Sequence, residues 1–179
     1  MKSKHPVAPE LEVSEWLNSD TAVSLANLRG RVVVLHTFQM LCPGCVANGL
    51  PQLQRIEQTF NRSDVAVIGL HTVFEHHAAM TPTSLEAFLL EYRIGFPVGV
   101  DAHDDPVGAP LTMTRYELRG TPSLVLIDRA GMIRFRGFGH EHDLALGARI
   151  AQLIAQTDVG VSTAAGSGAA VCVPGKGCD

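Results

Sequence analysis

No run of apolar residues in this chain approaches the ~20 that a membrane-crossing helix needs, although 46% of its 179 residues are hydrophobic. Basic excess is absent too. Lys and Arg number 14 against 18 Asp and Glu, the net charge is -4, and no Lys/Arg-rich patch offers itself to nucleic acid. The opening residues MKSKHPVAPELEVSEWLNSD place Pro, Glu and Asp where a secretory leader needs an apolar core, so no leader is expected. Cysteine is scarce: four in a chain of this length are too few for a disulfide scaffold. They fall as two pairs, Cys42/Cys45 and Cys172/Cys178, which suits redox or metal chemistry better than stapling and points to the cytoplasm. Neither membrane nor nucleic acid is expected as a partner.

What is present is concentrated between Arg31 and Arg55, RVVVLHTFQMLCPGCVANGLPQLQR. Val32, Val33 and Val34 begin an almost wholly apolar strand that runs to Phe38, the pattern of a strand covered on both faces. It delivers Cys42-Pro43-Gly44-Cys45 onto a helix expected to reach about Phe60 and to be kinked by Pro51. Two thiols at this spacing can close a small disulfide ring. The first meets the free N–H groups and positive dipole end of the helix, which favour thiolate. A thiolate that attacks a disulfide, beside a second thiol that completes the exchange, is a dithiol redox site. Its cofactor requirement is none beyond the Cys42–Cys45 disulfide itself.

Around this stretch the chain reads as alternating strands and helices. Leu11, Val13, Trp16 and Leu17 form a short strand or packed lead-in, and Ala22–Gly30 a short edge element and turn. Val65–Thr72 is a second buried strand. Thr83-Ser84-Leu85-Glu86 has the capping-box spacing, ahead of a helix that presents Leu85, Phe88, Leu89 and Tyr92 on one face. Phe96–Val100 is a third strand, and Leu111–Leu118 holds a turn of helix. Leu124–Ile127 and Met132–Phe138 form a hairpin around Asp128-Arg129-Ala130-Gly131. Glu141–Thr157 is an amphipathic helix. The order predicts an α/β domain over residues 1–157, a central mixed sheet with helices on both faces, preceded by an N-terminal extension. Residues 158–179 are a Gly/Ala-rich tail of flexible composition.

The strand, Cys42-Pro43-Gly44-Cys45, the kinked helix, and later Gly120-Thr121-Pro122 ahead of a hairpin together resemble the thioredoxin superfamily. The segment FPVGVD…RGTPSLVLIDRAGMIRFRGFG resembles its TlpA-like redoxin branch, related to alkyl hydroperoxide reductase/thiol-specific antioxidant proteins. The resemblance covers roughly Pro9 to Ile154 and implies a thioredoxin-like fold and antioxidant-type thiol chemistry. It makes Cys42 the attacking thiol, Cys45 the buried resolving thiol, and Pro122 a cis-proline facing the disulfide, with Thr121 offering backbone groups to a bound strand. Pro43, Gly44 and Met40 border the same groove.

Three positions depart from that pattern: His36 stands where thioredoxins place a buried Asp, Asn48 where TlpA-like proteins often place a Glu, and Leu41 where Trp often precedes the first Cys. His36 is either an acid/base group for Cys45, since imidazole titrates near neutrality, or a core histidine satisfied by a backbone carbonyl. The spacing of a peroxidatic site is missing. Leu35 and Gln39 precede Cys42, and Phe38 and Cys42 precede Cys45, at the positions where peroxiredoxins need Pro and Thr.

The expected activity is thiol-disulfide exchange with a disulfide-containing protein or small-thiol substrate and an upstream electron donor. Two alternatives stand beside it, a metal- or redox-sensing binding module and an atypical thiol peroxidase. His71, Glu75, His76 and His77 cluster where a strand ends and ligands bind in α/β sheets, as metal ligands or as polar loop residues. Cys172 and Cys178 are either a mobile second dithiol, a soft metal clip, or idle. His5, His103, His140 and His142 read as surface residues, and Asp101, Asp104 and Asp105 as a solvated loop.

Overall fold

The computed structural model describes residues 5–105 and 108–156. Six strands form one sheet in the order β1-β4-β3-β2-β5-β6: β1 Val13–Leu17, β2 Val32–Phe38, β3 Val65–His71, β4 Val98–Asp101, β5 Ser123–Ile127 and β6 Ile133–Phe138. β2, β3 and β4 are parallel, β1 and β5 run against them, and β6, antiparallel to β5, runs with them again. Every residue of β2 is buried, as its unbroken apolar run predicts.

Alternation along β2 divides the interior into two cores. Val32, Val34 and Phe38 meet α1 (Leu50–Thr59), α2 (Pro82–Glu91) and α4 (Asp143–Ala155) through residues such as Leu53, Leu89 and Ile150. Val33 and Leu35 face the other way, onto Ala8, Leu25, Tyr116 and Ile127. There the cover is the N-terminal segment and the region of the short α3 (Leu111–Arg115). The mixed sheet with helices on both faces is therefore as the sequence implies. Each fully buried leucine or isoleucine contributes roughly 1.5–3 kcal/mol over its exposed state.

Several local expectations are corrected. Ala22–Gly30 is a succession of turns and holds no strand. α2 begins two residues before the capping-box reading: Thr81 is the N-cap, its hydroxyl accepting the Ser84 N–H at 3.2 Å, and Pro82 takes the first turn, where its missing N–H costs nothing. Asp101 is not a solvated loop residue. It is 1% exposed and accepts hydrogen bonds from the Thr112 and Met113 N–H groups and the Thr72 hydroxyl, fixing the start of α3 to the end of β4. Burial raises its carboxyl pKa, more than these bonds lower it.

Pro51 is accommodated differently from a simple kink. The helix runs from Pro43 to Thr59, but Cys45–Gly49 forms a π-helical turn. The Leu50 N–H reaches back five residues to the Cys45 carbonyl. Widening the turn just before Pro51 absorbs the disruption that a proline ring brings to a regular α-helix.

Candidate active site

Sheet register brings the two halves of the site together. Thr37 lies opposite Ser123 on the antiparallel neighbour, so the end of β2 stands beside the start of β5. The chain leaves β2 through Gln39, Met40 and Leu41 into Cys42, and enters β5 from Gly120, Thr121 and Pro122. The Thr121–Pro122 peptide bond is cis. A Cβ built on Gly44 would meet Pro122 Cδ at 3.7 Å, so the start of the helix packs directly against this proline.

Cys42 and Cys45 are joined as a disulfide, with 5.3 Å between their Cα atoms. Cys42 is partly exposed and Cys45 is 0% exposed. The Cys45 N–H points to Cys42 Sγ at 3.3 Å, and Cys42 Sγ stands 3.6 Å from the Thr121 carbonyl oxygen. A thiolate on Cys42 thus has a backbone N–H donor and the helix start on one side, both of which favour negative charge. The Gly139 N–H donates to the Pro122 carbonyl at 2.8 Å, tying the end of β6 to the proline. Leu41, the residue before Cys42, is 57% exposed, and Phe138, 62% exposed, sets its ring beside Gly120 at the start of the Thr121–Pro122 turn. Met40, expected to pack beside the site and shape the groove, is buried in the core beneath it.

His36 is 2% exposed, on the face of β2 that α1 covers. The helix makes room for it at Gly49, four residues beyond Cys45, where a Cβ would stand 2.5 Å from His36 Cε1. Burial lowers the imidazole pKa to about 4, with a smaller contribution from the charge of His140. The ring is therefore neutral at physiological pH. Its Nδ1 has no hydrogen-bond partner, so the core histidine satisfied by a carbonyl at that atom is not what the fold contains. His140 itself is exposed, as expected of a surface residue.

The histidine-rich cluster is dispersed. His71 points into the core, 1% exposed, its ring 5.4 Å from that of Phe38 and both nitrogens without partners. Burial lowers its pKa to about 4. Glu75 and His76 are exposed, and His77 meets His103 ring to ring at 5.7 Å. His103 is not a free surface residue, since its Nε2 lies 2.7 Å from the Val73 carbonyl oxygen. Among the described residues no three His, Cys, Asp or Glu are grouped to hold a metal ion. Cys172 and Cys178 lie outside the described residues.

Gln39 belongs to the site and was not singled out as part of it from sequence. Its side chain is 1% exposed: Oε1 accepts the Phe74 N–H at 3.3 Å, and Nε2 donates to Glu75 Oε1 at 3.4 Å and to Thr121 Oγ1 at 3.3 Å. Three loops thereby converge on one amide. Only its place one residue past a buried strand and three before Cys42 hints at this.

A dithiol pair opening a helix, facing a cis-proline at the edge of a mixed sheet, defines a protein of thioredoxin-like architecture. The chain belongs to the AhpC/TSA family, whose model matches residues 6–136. It is similar to a structurally characterised thioredoxin-like superfamily protein, with 56% identity over 85% of this chain and 98% of the other and a TM-score of 0.82. It is also similar to a thiol-disulfide isomerase from Corynebacterium glutamicum, with 48% identity, 86% and 99% coverage, and a TM-score of 0.82. Human NHL repeat-containing protein 2 is 30% identical over 142 residues, covering 76% of this chain and 18% of that protein. The chicken protein is 32% identical over 144 residues, covering 77% and 19%. The chain spans about a fifth of the length of these curated relatives.

Proposed function

We propose that this protein is a thiol-disulfide oxidoreductase that reduces protein or small-molecule disulfides. The observation that carries the reading is the asymmetric environment of the Cys42–Cys45 pair: one sulfur partly exposed beside Thr121 and Pro122, the other fully buried. Cys42 thiolate attacks one sulfur of the substrate disulfide. A Cys42–substrate S–S bond forms, the substrate S–S bond breaks, and its other sulfur leaves as thiolate. Cys45, on losing its proton, attacks Cys42 Sγ, releases the second substrate thiolate and leaves Cys42–Cys45 oxidised. The two electrons gained by the substrate are restored by an upstream dithiol electron donor.

The Cys45 proton departs through His36 or water. A ring with a pKa of about 4 is a weak base at neutral pH, so His36 serves as a transient acceptor and not as a standing charge. Its neutrality also withholds from Cys45 the electrostatic penalty that a buried carboxylate would place on a second thiolate. Pro43 and Gly44 shape the rim beside Pro122, and Met40 supports it from below. The similarity to the C. glutamicum thiol-disulfide isomerase supports the reaction class.

Trapping tests this directly. Cys45→Ser protein, reduced and mixed with a peptide disulfide, is expected to accumulate a mixed disulfide on Cys42, seen by mass spectrometry. Cys42→Ser should accumulate none, and equal trapping on either cysteine would contradict the assignment.

A further inference from the structure

We propose that Gln39 clamps Glu75 into one wall of the substrate groove and that this wall selects disulfides flanked by positive charge. The inference rests on the exchange reaction proposed above and names the substrate class of that site.

Gln39 is oriented without freedom. Both N–H groups of its amide are used, toward Glu75 Oε1 and Thr121 Oγ1, and its oxygen accepts the Phe74 N–H. With the residue 1% exposed, turning the amide over would leave a buried donor and a buried acceptor mismatched, which disfavours the flipped orientation. Glu75 itself is exposed. Its carboxylate is therefore held at one oxygen and open to solvent and ligand. One amide separates it from Thr121, whose carbonyl oxygen is 3.6 Å from Cys42 Sγ. At low ionic strength, where the Debye length reaches ~30 Å at 0.01 M salt, a carboxylate so placed acts on charges next to a disulfide docked on Cys42.

The surrounding charges reinforce that sign. The loops ending the strands at this side carry Asp104 after β4 and Glu141 after β6, against Arg119 before β5. Glu117 is paired with Arg136, and Asp143 with Arg55. His76, His77, His103, His140 and His142 share this end. Across water, a single charge about 8 Å from another changes an encounter by roughly twofold. A cation and an anion should therefore differ by about fourfold through Glu75 alone.

The test is single-turnover oxidation of the reduced full-length protein at about pH 8 and low salt. The substrates are cystamine (a dication), 3,3′-dithiodipropionate (a dianion) and bis(2-hydroxyethyl) disulfide (neutral). Cys42–Cys45 closure is timed by acid quench, alkylation and mass spectrometry, and each rate is divided by that of free dithiothreitol with the same disulfide. The normalised cystamine-to-dithiodipropionate ratio is expected to exceed one, to fall about fourfold in Glu75→Gln, to be retained in Glu75→Asp, and to collapse in the wild type at ~1 M salt. Gln39→Leu, which keeps every charge, should lower the same ratio by releasing the carboxylate. A ratio unchanged in Glu75→Gln, or an equal change for all three disulfides, overturns the charge selection while leaving the exchange reaction standing. Failure of the neutral disulfide to oxidise the wild type overturns the exchange reaction, and this inference with it.

Discussion

The imidazole of His36 lies against the α-carbon of Gly49, so close that a Cβ there would stand 2.5 Å from Cε1 and 2.6 Å from Nε2. The histidine and the glycine are one device. A ring buried under the helix that bears the dithiol requires a residue with no side chain directly above it. Gly49 is one of the residues of the π-helical turn that also absorbs Pro51, so the same five residues admit the ring and the proline.

Gly49→Ala is accordingly expected to destabilise the fold by about 1–3 kcal/mol, the range for overfilling a packed core. In a His36→Ala background the clash is gone, and the substitution should cost little or become stabilising through helix propensity. Urea unfolding of the four proteins of this double-mutant cycle measures the coupling. Additive effects would dissolve the His36–Gly49 relationship.

Acid should weaken the protein through His36 and His71. Burial lowers both pKa values to about 4, below the 6.5 of a free imidazole. The unfolded chain then binds more protons than the folded one between these values. Stability is full above pH 6.5 and is lost as pH falls towards 4, by up to about 3 kcal/mol for each ring. His71→Phe removes one of the two, together with the two unpartnered nitrogens of that ring. It should be neutral or stabilising at pH 7 and should flatten the decline in chemical-denaturation midpoint between pH 6.5 and 4. A decline as steep as the wild type's would mean that His71 is not held neutral.

After reduction, the two thiols should differ in reach. Cys42 is partly exposed at a helix start, and Cys45 is fully covered. Alkylation by iodoacetamide at neutral pH is expected to be at least about tenfold faster at Cys42, read by peptide mapping of partially labelled protein. Equal rates would contradict the roles given to the two sulfurs.

Asp101 carries much of the attachment between β4 and α3. Asp101→Ala leaves the Thr112 and Met113 N–H groups without their acceptor and the Thr72 hydroxyl with the Leu70 carbonyl alone, and should cost about 3 kcal/mol. Asp101→Asn keeps an acceptor and should cost less. Thermal unfolding of the two variants distinguishes a cap from a passive loop residue, which would give equal and small losses.

The backbone of the site was legible in the sequence because its signals are local. A β-branched run, a Cys-x-x-Cys at a helix start, and Thr-Pro before a hairpin each declare themselves within a few residues. What escaped depends on distance or on parity. Gln39 acquires its meaning from partners 35 and 82 residues away. His71 read as a ligand because it ends a strand. A strand buried on both faces has no polar side to show which way its last residue points, and alternation turns this one into the core with Val65 and Val67. The π-helical turn was hidden because Pro51 announces a disruption but not how the preceding turn absorbs it. Gly49 carries no sign in the sequence of the ring it accommodates, because His36 lies 13 residues earlier on a different element.

The most direct test of the exchange reaction is the reduction of insulin disulfides, followed by turbidity, with dithiothreitol as electron donor. Wild-type protein is expected to accelerate precipitation well above the dithiothreitol background, and Cys42→Ser to fall to that background while remaining folded by circular dichroism. A wild-type rate no greater than that of Cys42→Ser would contradict the dithiol mechanism.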